Sequence, residues 1–73
     1  MISYKPFWET LKTKKMSKYK LIYYHHISSN TLRRMSHNEP ITTNTIDLFC
    51  EILHCDISDI IEYVPKDNSN DSI

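Results

Sequence analysis

The sequence predicts an all-α domain built as a compact five-helix bundle, and three observations carry that prediction. Apolar residues recur at spacings of three and four within consecutive short blocks, residues that cap helices stand ahead of those blocks, and breakers such as Asn38-Glu39-Pro40 separate them. With 73 residues the chain holds one domain. A domain of ~60 ordered residues buries only about 60% of the surface its unfolded chain exposes, so stability is marginal.

Pro6 suits the first turn of a helix, where its missing N–H goes unused, and Phe7, Trp8 and Leu11 supply an apolar face that runs to about Lys15. Ser17 can cap a second, amphipathic helix carrying Tyr19, Leu21, Ile22 and Tyr23 and ending near His25 and His26. Ile27 lies just ahead of Ser28, the cap of a third helix of about Ser28–His37 in which Leu32 and Met35, three apart, turn inward. The outward face of that helix is Ser29, Asn30, Arg33, Arg34 and His37, every one a hydrogen-bond donor and none acidic.

The Thr42-Thr43 pair can cap a fourth helix, whose Ile46, Phe49, Cys50 and Leu53 fall at i, i+3, i+4 and i+7. Asp56 with Asp59 three residues on resembles a capping box, and Ile57, Ile60, Ile61 and Val64 repeat the stripe. A short fifth helix, stopped by Pro65, is therefore predicted. Residues 1–64 form the domain on this reading, and residues 65–73, with too little apolar surface to offset their ordering entropy, are expected to be a polar, disordered tail. Ile2-Ser3-Tyr4 and Glu62-Tyr63-Val64 both alternate apolar and polar side chains, so a minimal terminal strand pair is an alternative for the two ends. Glycine is absent, so turns that need positive φ must use Asn, Asp or His, and His26 and Asn38 are the candidates.

The formal net charge is zero, yet residues 1–37 hold eight Lys/Arg against one acidic side chain, and residues 38–73 hold eight Asp/Glu against one Lys. Charges are screened over about 8 Å at physiological salt, so an interface feels the local sign. The basic half contains the all-donor face of the third helix, and the two together point to nucleic acid.

Other classes of function are disfavoured. A cofactor-sized pocket would remove much of so small a core, so the chain is expected not to be an enzyme, to carry no cofactor and to take no small-molecule ligand. No apolar run reaches membrane-spanning length and the N-terminal stretch lacks a signal-peptide pattern, which predicts no membrane partner and a cytoplasmic location. Cys50 and Cys55 read as reduced. With His54 they lack the paired spacing of a structural zinc site, and Cys50 reads as a small core residue. Nothing orients a Cys–His nucleophile, so no catalytic residue and no metal ligand is assigned. Phe7 and Trp8 read as core by their helical spacing, while Tyr19, Tyr23 and Tyr24 are expected to be half-exposed on the second helix, where they could rest against a sugar or phosphate.

Five short helices with a sharp turn at His25-His26-Ile27 resemble the lambda-repressor-like, Cro-type helix-turn-helix regulators of the XRE family. The resemblance runs from about Pro6 to Glu62 and rests on Met16-Ser17 through Leu21-Ile22, then Ile27-Ser28, Leu32, Met35 and the apolar fourth helix. In such proteins the third helix lies in the major groove, its first residues on base edges, while the start of the second helix touches the DNA backbone. Carried over, the resemblance places Ser29, Asn30, Arg33 and Arg34 at base-reading positions, with Lys18, Ser28 and His37 at backbone positions. Asn pairs bidentately with adenine and Arg with guanine, which makes Asn30 and Arg34 the expected specificity residues. His26 stands where this family commonly has Gly, and Ile22 where it commonly has Ala, so the second and third helices should stand farther apart or cross differently.

The function expected from all this is sequence-specific double-stranded DNA binding by a small transcriptional regulator, acting as a homodimer on half-sites about one helical turn apart. Asp59, Glu62 and an Ile60/Ile61 edge are the expected partner surface. The rival expectation is a protein-interaction module on a helix-turn-helix fold that has lost DNA binding.

Overall fold

A computed structural model describes residues 1–65; the rest of the expected tail lies outside the described residues. The element order is β1 (Ile2–Ser3), α1 (Lys5–Thr13), α2 (Lys18–Tyr24), α3 (Ser29–Ser36), α4 (Thr43–Leu53), a 3₁₀ turn (Ile57–Asp59) and β2 (Glu62–Tyr63). The two strands pair antiparallel, Ile2 opposite Tyr63 and Ser3 opposite Glu62, so the terminal strand pair forms.

Three helices start where hydroxyl side chains can take up a free N–H of the first turn. Ser17 Oγ accepts from the Lys20 N–H and Ser28 Oγ from the Asn30 N–H, both at 3.1 Å, and Thr42 Oγ1 accepts from the Thr45 N–H at 3.2 Å. No side-chain cap opens α1. Pro6 in its first turn takes that place by presetting φ and removing one unpaired donor.

The helix ends show what a chain without glycine must do. Lys15, His26, Asn38 and His54 all have positive φ, between 53° and 59°, and each follows one of the four helices. After α1 the Met16 N–H donates to Leu11 O (2.8 Å) and the Lys15 N–H to Lys12 O (3.1 Å), and after α3 the Glu39 N–H donates to Arg34 O (2.8 Å) and the Asn38 N–H to Met35 O (3.1 Å). These are the paired bonds of a Schellman motif, which satisfy the last carbonyls of a helix through one left-handed residue. His26 and Asn38 were expected in this conformation. Lys15 and His54 were not: histidine is one of the expected residue types but His54 was not singled out, and lysine lies outside those types.

The core is formed by Tyr4, Phe7 and Leu11 from the N-terminal segment, Leu21, Ile27, Leu32 and Met35 from the helix-turn-helix, Ile46, Phe49 and Leu53 from α4, and Ile60. Phe7 and Phe49, both fully buried, meet with ring centroids 4.7 Å apart and tilted by 51°, which clamps α1 to α4. Tyr4 belongs to the core rather than to a strand. Its hydroxyl donates to Glu39 O at 2.6 Å, tying the start of α1 to the loop after α3. The spacing of Tyr4, Phe7 and Leu11, at i, i+3 and i+7, is the signal that marks it. Cys50, expected in the core, is half-buried at its edge, because the α4 stripe centres on Ile46, Phe49 and Leu53.

The five-helix expectation is corrected to four, since the predicted fifth helix is one 3₁₀ turn. Its opening is as read: the Asp56 N–H donates to Asp59 Oδ2 at 3.1 Å. What stops it is competition. The Asp59 carbonyl, which a continuing helix would offer to Tyr63, accepts from Thr10 Oγ1 of α1 at 2.8 Å, while Glu62 and Tyr63 pair with β1. Ile60, Ile61 and Val64 are β-branched, and Val64 precedes Pro65, so the local preference is for extended backbone as well. The stripe read for that helix accordingly splits: Ile60 is fully buried and Ile57 is 57% exposed. Ile60 therefore drops out of the expected Ile60/Ile61 partner edge, while Ile61 is half-buried.

Candidate nucleic-acid interface

Between α2 and α3 the chain turns through His25, left-handed His26 and Ile27. The Ile27 N–H donates to Leu21 O at 3.0 Å, and the Ile27 side chain is buried between the two helices' core residues. Ser28 then opens α3. Leu32 and Met35 anchor its inner face, and this fixes by helical geometry what its other side presents. Ser29, Asn30, Arg33, Arg34 and His37 are all exposed. Among the described residues, no carboxylate of the acidic half covers Arg33 or Arg34, and both are exposed.

Two side-chain arrangements add to what spacing could tell. Arg33 Nη2 donates to Asn30 Oδ1 at 2.8 Å, so two of the expected base-reading residues are joined across one turn. Lys18, at the first position of α2, holds its Nζ 5.2 Å from the centroid of the Trp8 ring, a cation–π contact across the α1–α2 connection. Trp8 is thus a half-buried platform at the edge of the expected backbone-contact site. Its helical spacing points to the core, and no sequence pattern signals its meeting with a lysine ten positions on.

Tyr19 and Tyr23 pack against each other one turn apart on α2, with ring centroids 4.5 Å apart and planes tilted by 38°. Together with Tyr24 they are more than 60% exposed, so the half-exposed state expected for these three is corrected: the α2 core contact comes from Leu21 and, partly, Ile22. Elsewhere, the described residues contain no group of three or more His, Cys, Asp and Glu placed to hold a metal ion, and no pocket. Cys50 and Cys55 are free thiols. Burial pushes the Cys55 thiol up from its ordinary pKa, and the neighbouring Cys50 adds to the shift, which disfavours the reactive thiolate. Among the described residues no helix is long and apolar enough to cross a membrane.

The family model of the Cro/C1-type helix-turn-helix DNA-binding domain matches residues 7–66, most of the chain. The chain belongs to that family. A solved structure described as a crystal structure of the transcriptional regulator VanUg, in its form II, is similar to this Cro/C1-type domain at 32% identity, covering 89% of this chain and 87% of that one, with a TM-score of 0.79. The comparison with curated proteins yields no match. The matched stretch of this Cro/C1-type DNA-binding domain runs from α1 through β2 and includes α2, the His26 turn and α3.

Proposed function

We propose that the protein regulates transcription by sequence-specific binding to double-stranded DNA, with α3 lying in the major groove. Ser29, Asn30, Arg33 and Arg34 read base edges, while Lys18, Ser28 and His37 contact the backbone. The observation that carries the reading is the exposed outer face of α3, which offers donors and positive charge and no carboxylate. Base edges in the major groove and phosphate oxygens are the acceptors such a face fits. Ser28 caps α3 through its Oγ, leaving its hydroxyl hydrogen to donate to a phosphate.

One helix of eight residues reads few base pairs. The working form is therefore a two-fold dimer whose recognition helices reach successive major grooves on half-sites about 34 Å apart. Ile57, Tyr63 and Val64, all exposed, are the apolar surface of the C-terminal segment available to the second copy.

Gel shift against a random duplex pool, repeated across a salt series, tests this. Enrichment of a sequence together with a steep loss of affinity with salt supports the regulator. Shallow binding without enrichment would leave only nonspecific contact. No binding at any salt would favour a protein-interaction module on this fold.

A further inference from the structure

The hydrogen bond between Arg33 and Asn30 changes what the first turn of α3 can read. A free asparagine carboxamide offers both a donor and an acceptor, and that combination lets it pair with adenine, which presents the N7 acceptor beside the N6 amino donor. Here Oδ1 is engaged by the Arg33 guanidinium at 2.8 Å, and the Nδ2 amino group, at the opposite corner of the carboxamide, points away from it. The backbone is held too, since the Asn30 N–H donates to Ser28 Oγ at 3.1 Å. Asn30 is thus fixed at both ends, with one of the two lone pairs of Oδ1 engaged by a cation and both Nδ2 donors left free. Arg33 itself has only donors to give.

We propose that Asn30 and Arg33 act as one donor-rich, cationic unit that favours guanine over adenine at the base pair below the first turn of α3. Guanine is the base that places two acceptors, O6 and N7, side by side in the major groove. Adenine would bring its N6 amino group against donors and a positive charge. This inference rests on the DNA-recognition reading and replaces the adenine preference that asparagine alone suggests. Arg34, one position on, lies outside the unit and reads a different base pair.

The test is selection of bound duplexes from a random pool by the wild-type protein and by the Asn30→Ala, Arg33→Met and Arg34→Ala variants, all at exposed positions where the fold is retained. Circular dichroism of each variant checks the fold. The base pair that Asn30→Ala relaxes identifies the unit's position. Wild type should favour guanine over adenine there by roughly 5- to 150-fold, the discrimination of one good bidentate contact. Arg33→Met should relax that same position and raise adenine in it, because Oδ1 is released; Arg34→Ala should leave it unchanged. A wild-type pool with adenine at the Asn30 position would overturn the unit, as would Arg33→Met and Asn30→Ala relaxing two separate positions. A wild-type pool with no enriched base would overturn the recognition reading itself.

Discussion

At the scale of single residues the account separates side chains that set specificity from those that set affinity. Arg34→Ala should relax preference at one base position, whereas Lys18→Ala should weaken all duplexes alike and flatten the salt dependence by about one unit of slope in a log–log affinity plot. Equal losses on every sequence for both variants would refute that division. The contact of Lys18 with Trp8 gives an independent check, because Trp8 is the single tryptophan. Removing the ammonium in Lys18→Ala should shift tryptophan emission in the DNA-free protein, and an unchanged spectrum would mean that the two do not meet. Tyr4 supplies a pH dependence. Burial raises its pKa above the ordinary 10.0, with a backbone hydrogen bond from Ile41 opposing, so the fold favours the neutral phenol. Its contribution to stability is complete below that ordinary value and is lost as pH rises through the higher folded value. Denaturant midpoints at about pH 8 and about pH 11 should therefore fall more for the wild type than for Tyr4→Phe. At neutral pH that variant loses about 1 kcal/mol with its hydrogen bond to Glu39. The roles proposed for α3 were legible in the sequence because helical spacing alone decides which of its residues face out. The Arg33–Asn30 bond was not, since spacing permits it without requiring it.

At the scale of elements, four helices were legible, one from Pro6 in its first turn and three because Ser17, Ser28 and Thr42 each precede an apolar stripe and each makes the hydrogen bond its position predicts. The fifth was misread for a reason that no local pattern contains. Thr10, 49 positions away, takes the Asp59 carbonyl, and β1 takes the backbone of Glu62 and Tyr63. Helix ends were only partly legible, because a left-handed lysine has no signature. That strain yields a prediction. Lys15 and His54 occupy left-handed backbone at a cost of about 1 kcal/mol each relative to glycine, so Lys15→Gly and His54→Gly should each stabilise the domain. Thermal midpoints should rise by roughly 4–8 °C per kcal/mol for a domain of this size. Asn38→Gly should gain least, since asparagine tolerates this conformation best after glycine. A fall in midpoint for both Lys15→Gly and His54→Gly would show that their backbone is not left-handed in solution.

At the scale of the whole molecule the decisive property is that zero net charge does not mean a neutral surface. The lysines and arginines lie in residues 1–37 and the carboxylates in residues 38–73, with one exception on each side. Both α2 and α3 are folded from the basic half, so the field around α3 is the local positive one rather than the average. A duplex with two half-sites one helical turn apart should bind two copies of the chain, and a single half-site should bind far more weakly, as sedimentation of the complexes would show. The most direct test of the central claim is residue-by-residue mapping of amide NMR shifts while a selected duplex is titrated in. The account predicts that the perturbed amides cluster at Lys18 and from Ser28 to His37. Perturbations confined to α4 and the segment from Asp56 to Tyr63, with α3 silent, would contradict it.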